Sequence, residues 1–302
     1  MATTAFVFPG QGSQYVGMGK DLYERSVEAR QLFDEADRIV GTSLRSICFE
    51  GPEEELKQTK NTQPAIFLHS IVLTRLSRGP KAAMAAGHSL GEYSALVYAG
   101  ALSFEDGLRL VRLRGELMQQ AGIDQPGTMA AVIGLDADVI GEICCKAWDE
   151  GIVQVANYNS PGQVVISGAV RGVRKAMELA KERGAKMVKE LPVSGAFHSP
   201  LMESAREGLK AALERTEIRD AEIPVYANVT ARPVRKASEI RELLYQQLTS
   251  AVRWHETIVN MIADGVREFV EVGPGKVLQG LIKRINSTVA VRGIEKLTDL
   301  DR

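Results

Sequence analysis

Ser89 stands between two glycines in Gly87-His88-Ser89-Leu90-Gly91. A G-x-S-x-G pentapeptide at a strand-to-helix junction is a nucleophile elbow, a turn too tight for side chains two residues either side of the serine. The hydroxyl is then presented at the sheet tip and at a helix N-terminus, where the dipole and free N–H groups favour negative charge. Here residues 80–86 are mostly small and apolar and read as a buried strand, and residues 92–100 read as a short helix ending at Gly100. A serine is a weak nucleophile at neutral pH and needs a base. His88 adjoins Ser89, and neighbouring side chains diverge at a strand end. His69 lies in the apolar stretch 63–73 and reads as a satisfied core histidine, while His255 follows Trp254 and reads as surface or packing. His198 sits in Gly195-Ala196-Phe197-His198-Ser199-Pro200, where an exposed imidazole needs a reason, and it is the expected base. The acids between Ser89 and His198 (Asp124, Asp136, Asp138, Asp149) fall in or beside a separate unit. A carbonyl oxygen accepts from a ring N–H as well as a carboxylate does, so a Ser–His pair without a committed acid is expected.

The second chemical signal is a misplaced charge. On a helical wheel at ~100° per residue, Leu110, Val111, Leu117 and Met118 share a face, and Arg109, Arg112 and Glu116 lie opposite. Arg114 falls in the middle of the apolar face. An isolated buried guanidinium is too costly, so Arg114 is either paired with a core carboxylate or faces a cavity as an anion receptor. Near the start, Gly10-Gln11-Gly12 is a flexible loop able to bring backbone close to a ligand, or a plain turn.

The elements that must position these residues alternate between strand and helix. Strands are expected at 5–8, 223–229 and 268–272, and helices at 21–40, 53–60, 202–215, 240–248 and 277–285. Residues 127–191 read β-α-β-β-α-β, with a turn cluster at Asn157–Gly162, the order of the split ferredoxin-like motif. The predicted fold is α/β: a large α/β-hydrolase-like domain with a mostly parallel sheet, residues 1–126 and 193–302, and a small inserted ferredoxin-like subdomain, residues 127–192.

Of 302 residues, 45% are hydrophobic and 25% charged, as in soluble globular proteins, and the formal net charge of −1 gives no global pull toward nucleic acid or anionic membrane. Three cysteines in no metal or disulfide spacing point to a reducing compartment, and with neither a leader-like N-terminus nor a long apolar run the expectation is cytoplasmic, with no membrane span and no metal.

Taken together, seven stretches resemble the malonyl-CoA:acyl carrier protein transacylases of fatty acid synthesis. They are Phe6–Gln14, Gln63-Pro64-Ala65, Gly87–Tyr93, Arg112-Leu113-Arg114-Gly115, Asn157–Gln163, Phe197–Met202 and Glu271–Gly275, in the family's order and across nearly the whole chain. The resemblance implies ping-pong malonyl transfer from malonyl-CoA to the phosphopantetheine thiol of acyl carrier protein, with no cofactor. It implies Ser89 as nucleophile, His198 as base, Arg114 as clamp on the malonyl carboxylate, and the Gln11 and Leu90 N–H groups as oxyanion hole. Gln247 resembles the residue whose carbonyl orients the histidine, although Gln246 stands beside it. Phe197 resembles the residue that crowds a 2-methyl group, and Asn157 and Asn159 resemble residues lining the pantetheine entrance. A monomer is expected. A serine esterase or thioesterase with the same elbow, and a trans-acting acyltransferase of polyketide synthesis, are the alternatives. Lys181, Arg183, Lys186 and Lys189 are read as a solvated face in preference to a carrier-protein patch.

Overall fold

The computed structural model describes residues 3–79 and 81–300. Among these, ten strands form two sheets. In the larger sheet the order is β10 (Ala290–Ile294), β9 (Val266–Val272), β1 (Thr3–Phe8), β2 (Met84–Gly87), β7 (Val225–Tyr226) and β8 (Pro233–Val234). Every pairing in it is parallel except β7 with β8. Its central strands carry near-continuous apolar runs, Ala5–Phe8 in β1 and Met84–Ala86 in β2, as strands covered on both faces do. Phe6, Phe8 and Val270 pack into one core layer, and Ala5, Val7 and Phe269 into another.

The second sheet is antiparallel, in the order β4 (Val153–Ser160), β5 (Gln163–Ala169), β3 (Gly127–Ile133), β6 (Met187–Glu190). With helices Ala137–Ala147 and Val170–Glu182 it has the expected βαββαβ order. Alternation along the strands divides its faces. Ala130, Val132, Val164 and Ile166 pack under the two helices, whereas Met129, Ala156 and Val165 face the large core.

Several sequence expectations need correction. The strand expected over 80–86 is Met84–Gly87: Ala83 N still donates to Thr4 O of β1, but the Ala82 N–H is taken by the Tyr98 hydroxyl instead of a neighbouring strand; Pro80 lies outside the described residues. The helix expected over 21–40 breaks at Ser26, whose extended backbone ends Lys20–Arg25 and whose hydroxyl caps Val27–Val40. Asn157 and Asn159 lie in β4 and not in a turn, because Pro161-Gly162 alone makes the hairpin. The strand expected over 223–229 shortens to Val225–Tyr226, and β8 and β10 had no sequence reading. No described helix is long and apolar enough to cross a membrane.

Candidate active site

Ser89 follows β2 directly and precedes helix Gly91–Tyr98. A Cβ at Gly87 would lie 1.8 Å from the Gly91 carbonyl carbon, and one at Gly91 would lie 2.1 Å from the Phe8 oxygen. Only hydrogen fits at either position, and the serine between them is forced to φ 52°, the left-handed region that a non-glycine residue adopts at a cost. Asn228 braces the turn: its Oδ1 accepts from Ser89 N at 2.7 Å and its Nδ2 donates to Gly87 O at 2.6 Å.

His198 meets this serine from a loop that also turns left-handed, at φ 57°. Ser89 Oγ lies 2.7 Å from His198 Nε2. His198 Nδ1 lies 3.0 Å from the Gln247 carbonyl and 3.1 Å from that of Ser250. Carbonyls only accept, so Nδ1 carries the proton and Nε2 presents its lone pair to the hydroxyl. Gln247 ends helix Ala237–Gln247, where carbonyls lack intrahelical donors. The Gln154 amide holds the loop from the small sheet, donating to His198 O at 2.9 Å. The imidazole is 3% exposed, contrary to the exposed loop histidine expected, because β4 and the Gln247–Ser250 turn close over it. Burial, and then the nearby Arg114 charge, push its pKa down to about 3, so it is neutral and able to accept a proton.

Arg114 lies on helix Phe104–Asp124 and is 1% exposed. That helix packs hard against Thr59–Leu76: a Cβ at Gly115 would sit 2.7 Å from Thr59 O. Pro64, lacking an N–H, leaves the Lys60 carbonyl free, and Arg112 Nη1 donates to it at 3.1 Å. The same close approach brings Gln63 to Arg114, whose Nη1 donates to Gln63 Oε1 at 2.7 Å. Arg114 Nη2 donates to Gln247 Oε1 at 2.9 Å and to Ser89 Oγ at 3.1 Å. All three acceptors are neutral, so among the described residues no core carboxylate pairs directly with Arg114, and its charge faces Ser89. Burial pulls its pKa below the usual arginine range, against the opposing influence of Tyr93 and Glu92.

Behind Arg114 lies a buried acid. Glu92 Oε2 accepts from Gln247 Nε2 at 2.7 Å and from Asn228 N at 3.1 Å. Desolvation raises its pKa to about 7, held back by those two donors and by Arg114.

Ser89, His198, Arg114 and Gln63 line one cavity of about 210 Å³, with Glu92, Asn228 and Gln247 behind them. Gln11 and Leu90 stand on its wall, and among the described residues neither backbone N–H has a protein acceptor. Phe197, Asn157 and Asn159 line it as well, with Asn159 Oδ1 2.9 Å from His88 Nε2. Gln246 is outside, bonded to Glu242 on the surface. Sequence reading missed Gln63, Glu92, Gln154, Asn228 and Ser250. It also expected His69 to be satisfied, whereas neither of its ring nitrogens has a partner among the described residues. Lys181, Arg183, Lys186 and Lys189 are all exposed.

A strained serine at the end of a parallel strand, a neutral histidine on its oxygen and free N–H groups beside it define a serine acyltransferase or hydrolase. Comparison with known proteins narrows this. The acyl transferase domain model matches residues 5–297. The malonyl CoA-acyl carrier protein transacylase of Bacillus subtilis (strain 168) is 51% identical, over 98% of this chain and 96% of its own. An acyl carrier protein S-malonyltransferase from Vibrio cholerae superposes with a TM-score of 0.95 at 43% identity, over 99% of both chains. A malonyl-transacylase solved in complex with a type II PKS acyl-carrier protein superposes with a TM-score of 0.94 at 41% identity, over 99% of this chain and 98% of its own. The chain belongs to the malonyl CoA-acyl carrier protein transacylase family.

Proposed function

We propose that this protein moves a malonyl group from malonyl-CoA to the phosphopantetheine thiol of acyl carrier protein, as an acyl carrier protein S-malonyltransferase of fatty acid synthesis. One observation carries the reading: Ser89 Oγ lies 2.7 Å from a neutral imidazole and 3.1 Å from a guanidinium with only neutral partners. A plain esterase needs the first contact and has no use for the second.

The reaction follows from the placement of these groups. The malonyl carboxylate takes the place of Ser89 Oγ on Arg114 Nη2 and accepts the second hydrogen of Nη1, two charge-assisted hydrogen bonds that suit the planar fork and leave Gln63 and Gln247 in place. Ser89 Oγ attacks the thioester carbonyl as His198 Nε2 takes its proton. The oxyanion rests on the Gln11 and Leu90 N–H groups. The C–S bond breaks, His198 protonates the departing thiol, and a malonyl-serine ester remains. The carrier thiol then enters by the same cavity, gives its proton to His198 and reverses the steps. The Gln247 carbonyl, with that of Ser250, keeps His198 in the tautomer both half-reactions need. The Phe197 ring crowds a 2-methyl substituent, and Asn157 and Asn159 line the pantetheine path.

Residues 127–192 act as a separate subdomain roofing the site, over the base formed by 1–126 and 193–302. One chain supplies every group named, so a monomer suffices. Three unpaired thiols suit a cytoplasmic setting.

Intact-mass measurement after mixing with malonyl-CoA alone tests this. A stable malonyl adduct, absent in Ser89→Ala and discharged by holo acyl carrier protein, is expected. Steady consumption of malonyl-CoA without an adduct would make the protein a hydrolase.

A further inference from the structure

We infer that Glu92 is a positioning residue for acyl-group selectivity, aiming the Arg114 guanidinium at the substrate carboxylate through the side chain of Gln247. The inference rests on the reading of Arg114 as the carboxylate clamp.

Glu92 lies in the first turn of helix Gly91–Tyr98 and is 2% exposed. Its backbone N–H donates to Ser89 O at 3.1 Å, but among the described residues its carboxyl group has no hydrogen bond to Ser89, His198 or Arg114, so any hydrogen-bonded influence of that group on the site passes through a neighbour. That neighbour is Gln247, whose Nε2 donates to Glu92 Oε2 at 2.7 Å and to Ser89 O at 3.0 Å. The Asn228 N–H already points at the same Glu92 oxygen, 3.1 Å away, which marks that oxygen as an acceptor. Two acceptors on one side of the amide fix its orientation: the NH2 group faces them, and Oε1 must face Arg114 Nη2. Without Glu92, a rotated amide would put its NH2 group against the guanidinium.

The same arrangement separates the Glu92 carboxyl group from the guanidinium by one neutral amide. Had a carboxylate stood where Gln247 Oε1 stands, it would occupy the Arg114 fork and exclude the substrate's own. Glu92 is close enough to favour the cation and too far away to occupy the fork. Asn228 extends the effect to the nucleophile, since it bonds Glu92 through its backbone and Ser89 and Gly87 through its side chain.

The test is kcat/KM for acylation of Ser89 by malonyl-CoA and by acetyl-CoA, which has no carboxylate for Arg114 to hold. Glu92→Met should lower the malonyl-to-acetyl ratio about tenfold or more, the scale of one misdirected charge-assisted hydrogen bond. Glu92→Gln, which keeps an oxygen for both N–H donors, should restore the ratio to within about threefold of the parent. An unchanged ratio in Glu92→Met, or an equal fall for both substrates, would overturn the assignment and leave Glu92 a purely structural residue. Should Glu92→Met fail to fold, Gln247→Met cuts the same link while keeping the carbonyl on His198; a lowered ratio there supports the inference and an unchanged one overturns it. Arg114→Ala separates the two failures. If it abolishes malonyl preference while the Glu92 and Gln247 variants keep it, only the Glu92 inference falls. If it too keeps the preference, the clamp reading falls first.

Discussion

The two halves of the cavity are built on different principles. Its floor, from the large sheet and its helices, is a polar network: Gln63, Ser89, Arg114 and His198 face the cavity, Glu92, Asn228 and Gln247 stand behind them, and each is bonded to at least one other member. Its roof, from the small antiparallel sheet, offers Met129, Val165 and Leu191, with Asn157, Asn159 and Gln163 between them. In the floor every partner sets the orientation of the next, as buried polar groups must when water cannot substitute. Apart from Gln154, which holds the His198 loop from behind, the roof only has to exclude water and admit a pantetheine arm. A change in the floor should therefore propagate, and a change in the roof should stay local.

The largest expected effect is in the floor. His198→Ala should cut acylation by about a thousandfold, because an unactivated serine attacks poorly. The same residue sets a pH signature. Its ordinary pKa is 6.5 and its buried value is about 3, so it remains neutral on acidification through 6.5. The kcat/KM profile for acylation should stay level down to about pH 5, since that parameter reports the free enzyme. An acid limb centred near 6.5 that persists in Glu92→Gln, which removes the other group titrating near neutrality, would show a solvated imidazole and break the contrast with the roof.

The smaller effect is in the roof. Asn159→Ala should slow acylation only a few-fold, about the worth of one neutral hydrogen bond. It leaves His88 Nε2 without its partner but touches no group bonded to Ser89 Oγ. A loss approaching that of His198→Ala would show that the roof belongs to the catalytic network.

The same contrast explains what the sequence disclosed. The elbow was readable because Gly87, Ser89 and Gly91 meet one steric demand within five positions. The small subdomain was readable from strand and helix periodicity, apart from Asn157 and Asn159, whose turn-like composition hid a strand. Arg114 stood out because a charge interrupted an apolar face, yet periodicity alone left its partner undecided. Glu92, Asn228 and Gln63 gave no such signal. Their partners lie tens to more than a hundred positions away, and each residue type is ordinary in its own segment. His198 was found from its loop but placed on the surface, since nothing local reports that β4 folds over it. β10 pairs at the far edge of the large sheet, well away from the chemistry.

The most direct measurement is a crystal structure of the malonyl-enzyme trapped before carrier protein is added. The malonyl carboxylate should accept from both Nη atoms of Arg114, the ester should be on Ser89 Oγ, and its carbonyl oxygen should face the Gln11 and Leu90 N–H groups. A malonyl group with its carboxylate in solvent, and Arg114 still bonded to Gln63 and Gln247 alone, would contradict the assignment of the buried cation.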